Sequence, residues 1–136
     1  MPTKDLNVLL KEMQPELRGD YLIASMPSEL LTEELIAGSM GVFKEREGMT
    51  LIMPEASRFN LPEHAKASAP HALITLNVNS DLEAVGFLAA ITNALAKHGI
   101  SVNAISAFHH DHLLVPKPKA EKAMSVLKEL AETSTS

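Results

Sequence analysis

The densest group of side chains that could do chemistry is a run of three histidines and one aspartate: His109, His110, Asp111 and His112. Imidazole and carboxylate groups bind transition metals, so the run suggests a metal-binding interpretation. Alternate side chains of a strand point to opposite faces, so one ion would contact only two of the four. A complete metal site would need another histidine from elsewhere in the chain. The sequence therefore favours a polar turn over a metal centre.

A catalytic interpretation has less support. The sequence contains no serine-hydrolase motif, phosphate-binding loop, zinc-protease motif or dinucleotide-binding fingerprint. It contains no cysteine, which excludes disulfides, thiolate metal sites and cysteine nucleophiles. Glu83 and Asp111 are a candidate carboxylate pair, but Glu83 is explained more simply as a helix-capping residue. We therefore expect a protein that is not an enzyme and that holds no cofactor.

The segment 72–116 must position these side chains. A period of two runs over 72–79, where Ala72, Ile74, Leu76 and Val78 alternate with Leu73, Thr75, Asn77 and Asn79, and it predicts a strand with one well-buried face. Ser80 and Glu83 then match a capping box, in which each side chain bonds the backbone amide of the other residue. The pattern predicts a helix over residues 81–98.

Two glycines are associated with this helix. Gly99 stands where a glycine commonly ends a helix, and it precedes strands predicted over 100–108 and 112–115. Gly86 lies in the first turns, where glycine costs about 1 kcal/mol relative to alanine. The sequence leaves open whether Gly86 permits close helix packing or the close approach of a ligand.

Length and charge limit the classes of function. The chain has 136 residues, enough for one compact domain or two very small ones. Its net charge is −5, without a dense basic patch, which disfavours nucleic acid as a partner. It has neither a signal-peptide pattern nor an apolar run long enough to span a membrane. We expect a cytoplasmic protein with no membrane partner.

The two halves of the chain repeat one pattern of predicted elements. Each half contains strand, helix, strand, strand and helix, and LIMP at 51–54 mirrors LLVP at 113–116. Such tandem units are typical of a duplicated ferredoxin-like (βαββαβ) module. We predict an α+β fold with antiparallel sheets covered by helices. Its two units are an N-terminal one over residues 1–68 and a C-terminal one over residues 69–136.

The second half resembles the ACT domain, the amino-acid-sensing module of aspartate kinases and many other enzymes. The resemblance rests on the strand that ends in NSD at 79–81, on LEAVGFL at 82–88 and on GISV at 99–102. Ser101 replaces the usual asparagine, and LEAV stands where many members have a proline. EGMTLIMP, SDLEAVGF and FHHDHLLVP together are similar to a small stand-alone bacterial family of paired ACT domains. The last of these segments is also similar to the mammalian cytosolic arginine sensor.

The resemblance implies a binding site for an amino acid or a similar small ligand. In ACT pairs the ligand usually lies between the first loop–helix junction and the second strand, where helix N-terminal amides favour a carboxylate. The matching positions are Asp81, Ala84, Val85, Gly86, Ala107, Phe108 and Asp111. We expect a non-catalytic regulatory module that forms a homo-oligomer, most simply a homodimer. Two alternatives stay open: an oligomerisation module without a ligand, and a metal-binding protein that uses residues 109–112.

Overall fold

The computed structural model describes residues 4–134. The helices and strands are α1 (Leu6–Lys11), β1 (Pro15–Met26), α2 (Glu33–Gly38), β2 (Gly41–Glu45), β3 (Gly48–Pro54), β4 (Lys66–Ala67), β5 (His71–Leu76), α3 (Phe87–Lys97), β6 (Asn103–Ser106), β7 (Asp111–Pro116) and α4 (Ala120–Thr133). Short 3₁₀ helices occupy Ser28–Leu30, Glu55–Asn60 and Lys117–Lys119. Among the described residues, no helix is both long and apolar enough to cross a membrane.

The chain folds as two compact units. Unit 1 contains the residues up to Arg18 and those from Ala72 onward, and unit 2 contains Gly19–His71. Their extents differ from the repeats predicted over 1–68 and 69–136, because α1 packs against α3 and α4 of the C-terminal half. The boundaries of the two sequence repeats need not coincide with those of the two compact units, so the division at residues 68 and 69 stays a prediction.

Unit 1 has a core between its strands and three helices. In this unit β7 lies between β5 and the edge strand β6, and α1, α3 and α4 contact one another. Alternate residues of β5 and β7 supply the sheet side of the core. The opposite face of β5 was predicted to be less buried, but Leu73 and Thr75 on that face are buried too. The buried core residues are Leu9, Leu10, Met13, Ala72, Ile74, Leu76, Phe87, Ile91, Leu95, Ile100, Leu113, Val115, Ala123, Val126 and Leu127.

Unit 2 repeats the strand arrangement on a smaller scale. Its strand β3 lies between β2 and β1, and the short β4 also pairs with β1. Both neighbours of β3 run antiparallel to it. Its buried residues form two small groups: Leu22, Ala24 and Met53, and Met26, Leu35 and Leu51.

The helix predicted over 81–98 is shorter than expected. It begins at Phe87, and the predicted capping box is wrong. The Ser80 hydroxyl donates to Asp111, while an Asp81 carboxylate oxygen accepts the Glu83 N–H at 2.8 Å. An aspartate that bonds an amide two residues ahead favours a turn over a helix, which explains the later start. The C-terminal prediction is confirmed, because Gly99 adopts a left-handed φ of +71° directly after the helix.

Candidate functional site

Unit 1 contains a cavity of about 150 Å³ where the loop between β5 and α3, the N-terminus of α3 and the β6–β7 hairpin meet. This volume is similar to that of an engineered cavity of about 150 Å³ that holds benzene. It is smaller than the roughly 300 Å³ at which pockets for drug-sized ligands begin. The lining residues are Ser80, Asp81, Leu82, Ala84, Gly86, Phe87, Leu88, Ala89, Ser106, Ala107 and Asp111. A ligand held there must be small.

Asp111 is the buried charged group of this corner. Its side chain is only 7% exposed. The Ser106 hydroxyl donates to one carboxylate oxygen at 2.7 Å, and the Ser80 hydroxyl donates to the other at 3.2 Å. Two carboxylate oxygens offer about four acceptor sites, so the serines leave room for further donors. The carboxylate can therefore also bind a ligand cation.

The N-terminus of α3 carries a partial positive charge, opposite to the negative charge of Asp111. Gly86 is its N-cap residue, with a left-handed φ of +90°, and no described side chain caps the helix. The amides of Phe87, Leu88 and Ala89 belong to the first turn, where N–H groups lack a partner within the helix. These three residues line the cavity. Unpaired amides and the helix dipole together favour an anionic ligand group.

Five of the seven residues predicted from the sequence line this cavity: Asp81, Ala84, Gly86, Ala107 and Asp111. The structure does not bring the other two into it. Val85 is 84% exposed and Phe108 is 72% exposed. Phe108 instead lines a larger neighbouring recess of about 490 Å³, beside residues 79–83 and His109. The Ala107 amide donates to the His110 carbonyl at 3.0 Å, so this amide is already paired within the turn.

Sequence reasoning missed the two serines that hold Asp111. Ser106 lies directly opposite Asp111 in the β6–β7 ladder, so a correct hairpin register would have identified it. Ser80 is separated from Asp111 by 31 positions, and its local pattern predicts a helix cap instead. No local pattern in the sequence reports a contact over that separation.

The histidines of the 109–112 run have separate neighbours. His112 shares a 2.9 Å hydrogen bond with the buried Thr75 hydroxyl, and His110 lies 3.3 Å from the Val78 carbonyl oxygen. The His109 ring packs edge-on against Phe108. Within residues 4–134, no three histidine or acidic side chains lie close enough to hold a metal ion.

The environment of His112 disfavours its charged form. Burial lowers the pKa of His112 below the ordinary value of 6.5. The neighbouring His110 and Arg18 lower it further, while Asp111 opposes the shift. His112 is therefore a neutral hydrogen-bonding partner of the sheet at neutral pH.

Two family models, both described as ACT domains, match the chain over residues 2–67 and 68–129. This chain belongs to the ACT-domain family. Among solved structures, it is similar to a Vibrio cholerae protein of unknown function that is described as a possible transport protein. The two sequences are 38% identical, over 94% of this chain and 97% of that one, with a TM-score of 0.78. No curated protein sequence matches the chain.

More distant structures share the fold. An Agrobacterium tumefaciens protein is 19% identical over 86% of this ACT protein and 87% of its own chain, with a TM-score of 0.71. The regulatory subunit of aspartate kinase from Thermus flavus is 13% identical, over 85% and 95% respectively, with a TM-score of 0.60. These matches confirm the predicted fold class, an α+β chain of tandem ferredoxin-like ACT units.

Proposed function

We propose that this protein is a non-catalytic regulatory module of the cytoplasm that forms homo-oligomers and binds one free amino acid at the unit 1 corner. ACT domains commonly act as regulatory ligand-binding modules, which supports the general role. One observation carries the specific proposal. A small cavity combines a buried carboxylate, Asp111, with the uncapped N-terminus of α3.

These two groups match the two charges of an amino acid. The ligand ammonium group donates to Asp111, in a charge-assisted hydrogen bond, which is roughly twice as strong as a neutral one. The ligand carboxylate accepts from the first amides of α3. The apolar side chains of Leu82, Ala84 and Leu88 line the same cavity and are available to a ligand side chain.

A thermal-shift screen of the purified chain against the twenty standard amino acids tests the proposal. A ligand at 100 times its dissociation constant stabilises the folded state by about 2.7 kcal/mol. With an unfolding entropy of about 2.1 cal/mol/K per residue, this corresponds to about 9 °C in a cooperative transition of this length. We expect such a shift with one or a few amino acids. The matching α-hydroxy acids, which lack the ammonium group, should give much smaller shifts.

Two outcomes would contradict amino-acid binding. No shift with any amino acid, together with an oligomeric state that does not depend on added amino acid, would favour a structural oligomerisation module. A shift with zinc or nickel alone, removed by His110→Ala combined with His112→Ala, would favour the metal alternative. Sedimentation of the same samples with and without amino acid reports the oligomeric state directly.

A further inference from the structure

The corner that forms the candidate site occurs once in each unit. In both units the second strand of a hairpin lies beside the strand that precedes the helix: β7 beside β5, and β3 beside β1. LIMP at 51–54 and LLVP at 113–116 align the two hairpins. Unit 2 also has a cavity at its corner, about 240 Å³, lined by residues 27–29 and 44–49. The duplication therefore provides an internal comparison for the proposed site.

The cross-strand pair at this corner differs between the units. In unit 1, Ser106 is paired with Asp111. In the alignment set by the two hairpins, the counterpart in unit 2 is Lys44 paired with Met49. Unit 2 therefore has a thioether where unit 1 has the buried carboxylate, and an ammonium group where unit 1 has the serine. The three carboxylates that line the unit 2 cavity, Glu29, Glu45 and Glu47, are exposed, so an ion pair with a ligand ammonium group there would contribute little. Lys44, which lines the same cavity, would repel that group.

The helix that follows the corner also differs. The N-terminus of α2 is capped by a side chain, because the Thr32 hydroxyl accepts the Leu35 N–H at 3.1 Å. The α2 helix has 6 residues, whereas the uncapped α3 has 11. A side-chain cap satisfies an amide that a ligand carboxylate would otherwise bind. Unit 2 thus lacks both the buried carboxylate and the uncapped helix N-terminus that unit 1 offers to an amino acid.

We infer that each chain binds a single amino acid, at the unit 1 corner, and that the Ser106–Asp111 pair selects ligands with a free ammonium group. The unit 2 corner has lost this function and keeps only the hairpin geometry. The inference rests on the proposed function and adds the stoichiometry and the residue pair that sets specificity.

Amide chemical-shift mapping of the isotope-labelled full chain tests the inference. The probes are the twenty free L-amino acids, each titrated separately. For every amino acid that gives saturable shifts, we expect them at Gly86 and Ala107 and not at Glu29 or Gly48. Calorimetric titration with the same amino acid should give one equivalent per chain.

Three variants sharpen the test. Asp111→Asn should weaken binding by about 10- to 100-fold, since a hydrogen bond to a charged group contributes about 1.5–3 kcal/mol. Ser106→Ala removes one of the two hydrogen bonds that orient the carboxylate, and it should give a smaller loss. Lys44→Ser, at the matching position of unit 2, is the control and should leave the affinity unchanged. Dispersed amide spectra verify that each variant is folded.

The possible outcomes separate the two claims. Saturable shifts at both corners, two equivalents per chain, or wild-type affinity in Asp111→Asn would overturn the single-site inference and leave amino-acid binding in place. The absence of shifts with all twenty amino acids would overturn the proposed function and the inference together. Single-site binding that Asp111→Asn weakens and Lys44→Ser does not would support both.

Discussion

Gly86 and Gly99 bracket α3 and provide a matched pair for measuring backbone strain at the candidate site. Both adopt a left-handed conformation, with φ of +90° and +71°. A Cβ atom on Gly86 would meet only the Leu6 side chain, at an ordinary 3.6 Å, and one on Gly99 would meet nothing within 4 Å. Alanine at either position therefore adds conformational strain without a steric clash.

The expected cost follows from two opposing effects. A residue with a Cβ atom pays about 1–2 kcal/mol in the left-handed region. Alanine also restricts the unfolded chain, which returns about 0.4–1 kcal/mol. We therefore expect Gly86→Ala and Gly99→Ala each to lower the free energy of unfolding by about 1 kcal/mol. In a cooperative transition of this length, that corresponds to about 3–4 °C in Tm.

Urea denaturation of the two variants beside wild type measures this cost. Undiminished stability in Gly86→Ala would show that Gly86 does not hold its left-handed conformation in solution. A loss above about 3 kcal/mol in Gly86→Ala alone would show tight packing, which the single ordinary contact with Leu6 does not predict. Measuring the ligand affinity of the same variants tests whether Gly86 permits close helix packing or the close approach of a ligand. If the ligand contacts Gly86, binding weakens in Gly86→Ala and not in Gly99→Ala.

Three further predictions concern other parts of the chain. Alanine at Gly48 combines a φ of +147° with a Cβ atom that clashes with the Met26 carbonyl oxygen, so Gly48→Ala should cost more than about 2 kcal/mol. By contrast, Gly38→Ala, in open space at the end of α2, should be neutral or stabilising in the same urea titration. The lowered pKa of His112 means that the unfolded chain binds more protons between that pKa and 6.5. The free energy of unfolding should therefore fall as pH drops below about 6.5, and His112→Gln should make this pH dependence weaker. An equally steep pH dependence in wild type and His112→Gln would show that His112 is not its cause.

The strands and the fold class could be predicted because their signals are local. The paired LIMP and LLVP segments report the duplication directly, and the pattern in residues 72–79 indicates a strand. The prediction of a single buried face was wrong, because β5 ends at Leu76 and both of its faces are buried. The segment 77–86 could not be predicted in the same way. Ser80 and Glu83 satisfy a local capping rule, but Ser80 is used by Asp111, which is far away in the sequence. Ser80 therefore donates to a distant buried carboxylate instead of capping a helix at residue 81. The helix begins later, and Gly86 is its N-cap residue instead of an interior residue.

Asp111 itself shows how function and stability compete at this corner. Burying a carboxylate is costly even when serines donate to it. Met49 occupies the matching register position in unit 2, which shows that the fold does not require a charge there. We therefore expect Asp111→Met to keep or raise the free energy of unfolding while it abolishes amino-acid binding, measured by urea denaturation and by thermal shift. A stability loss of about 3 kcal/mol or more, the typical cost of disrupting a buried charged network, would make Asp111 a structural residue. Retained stability with lost binding would instead show that unit 1 keeps this carboxylate for its ligand.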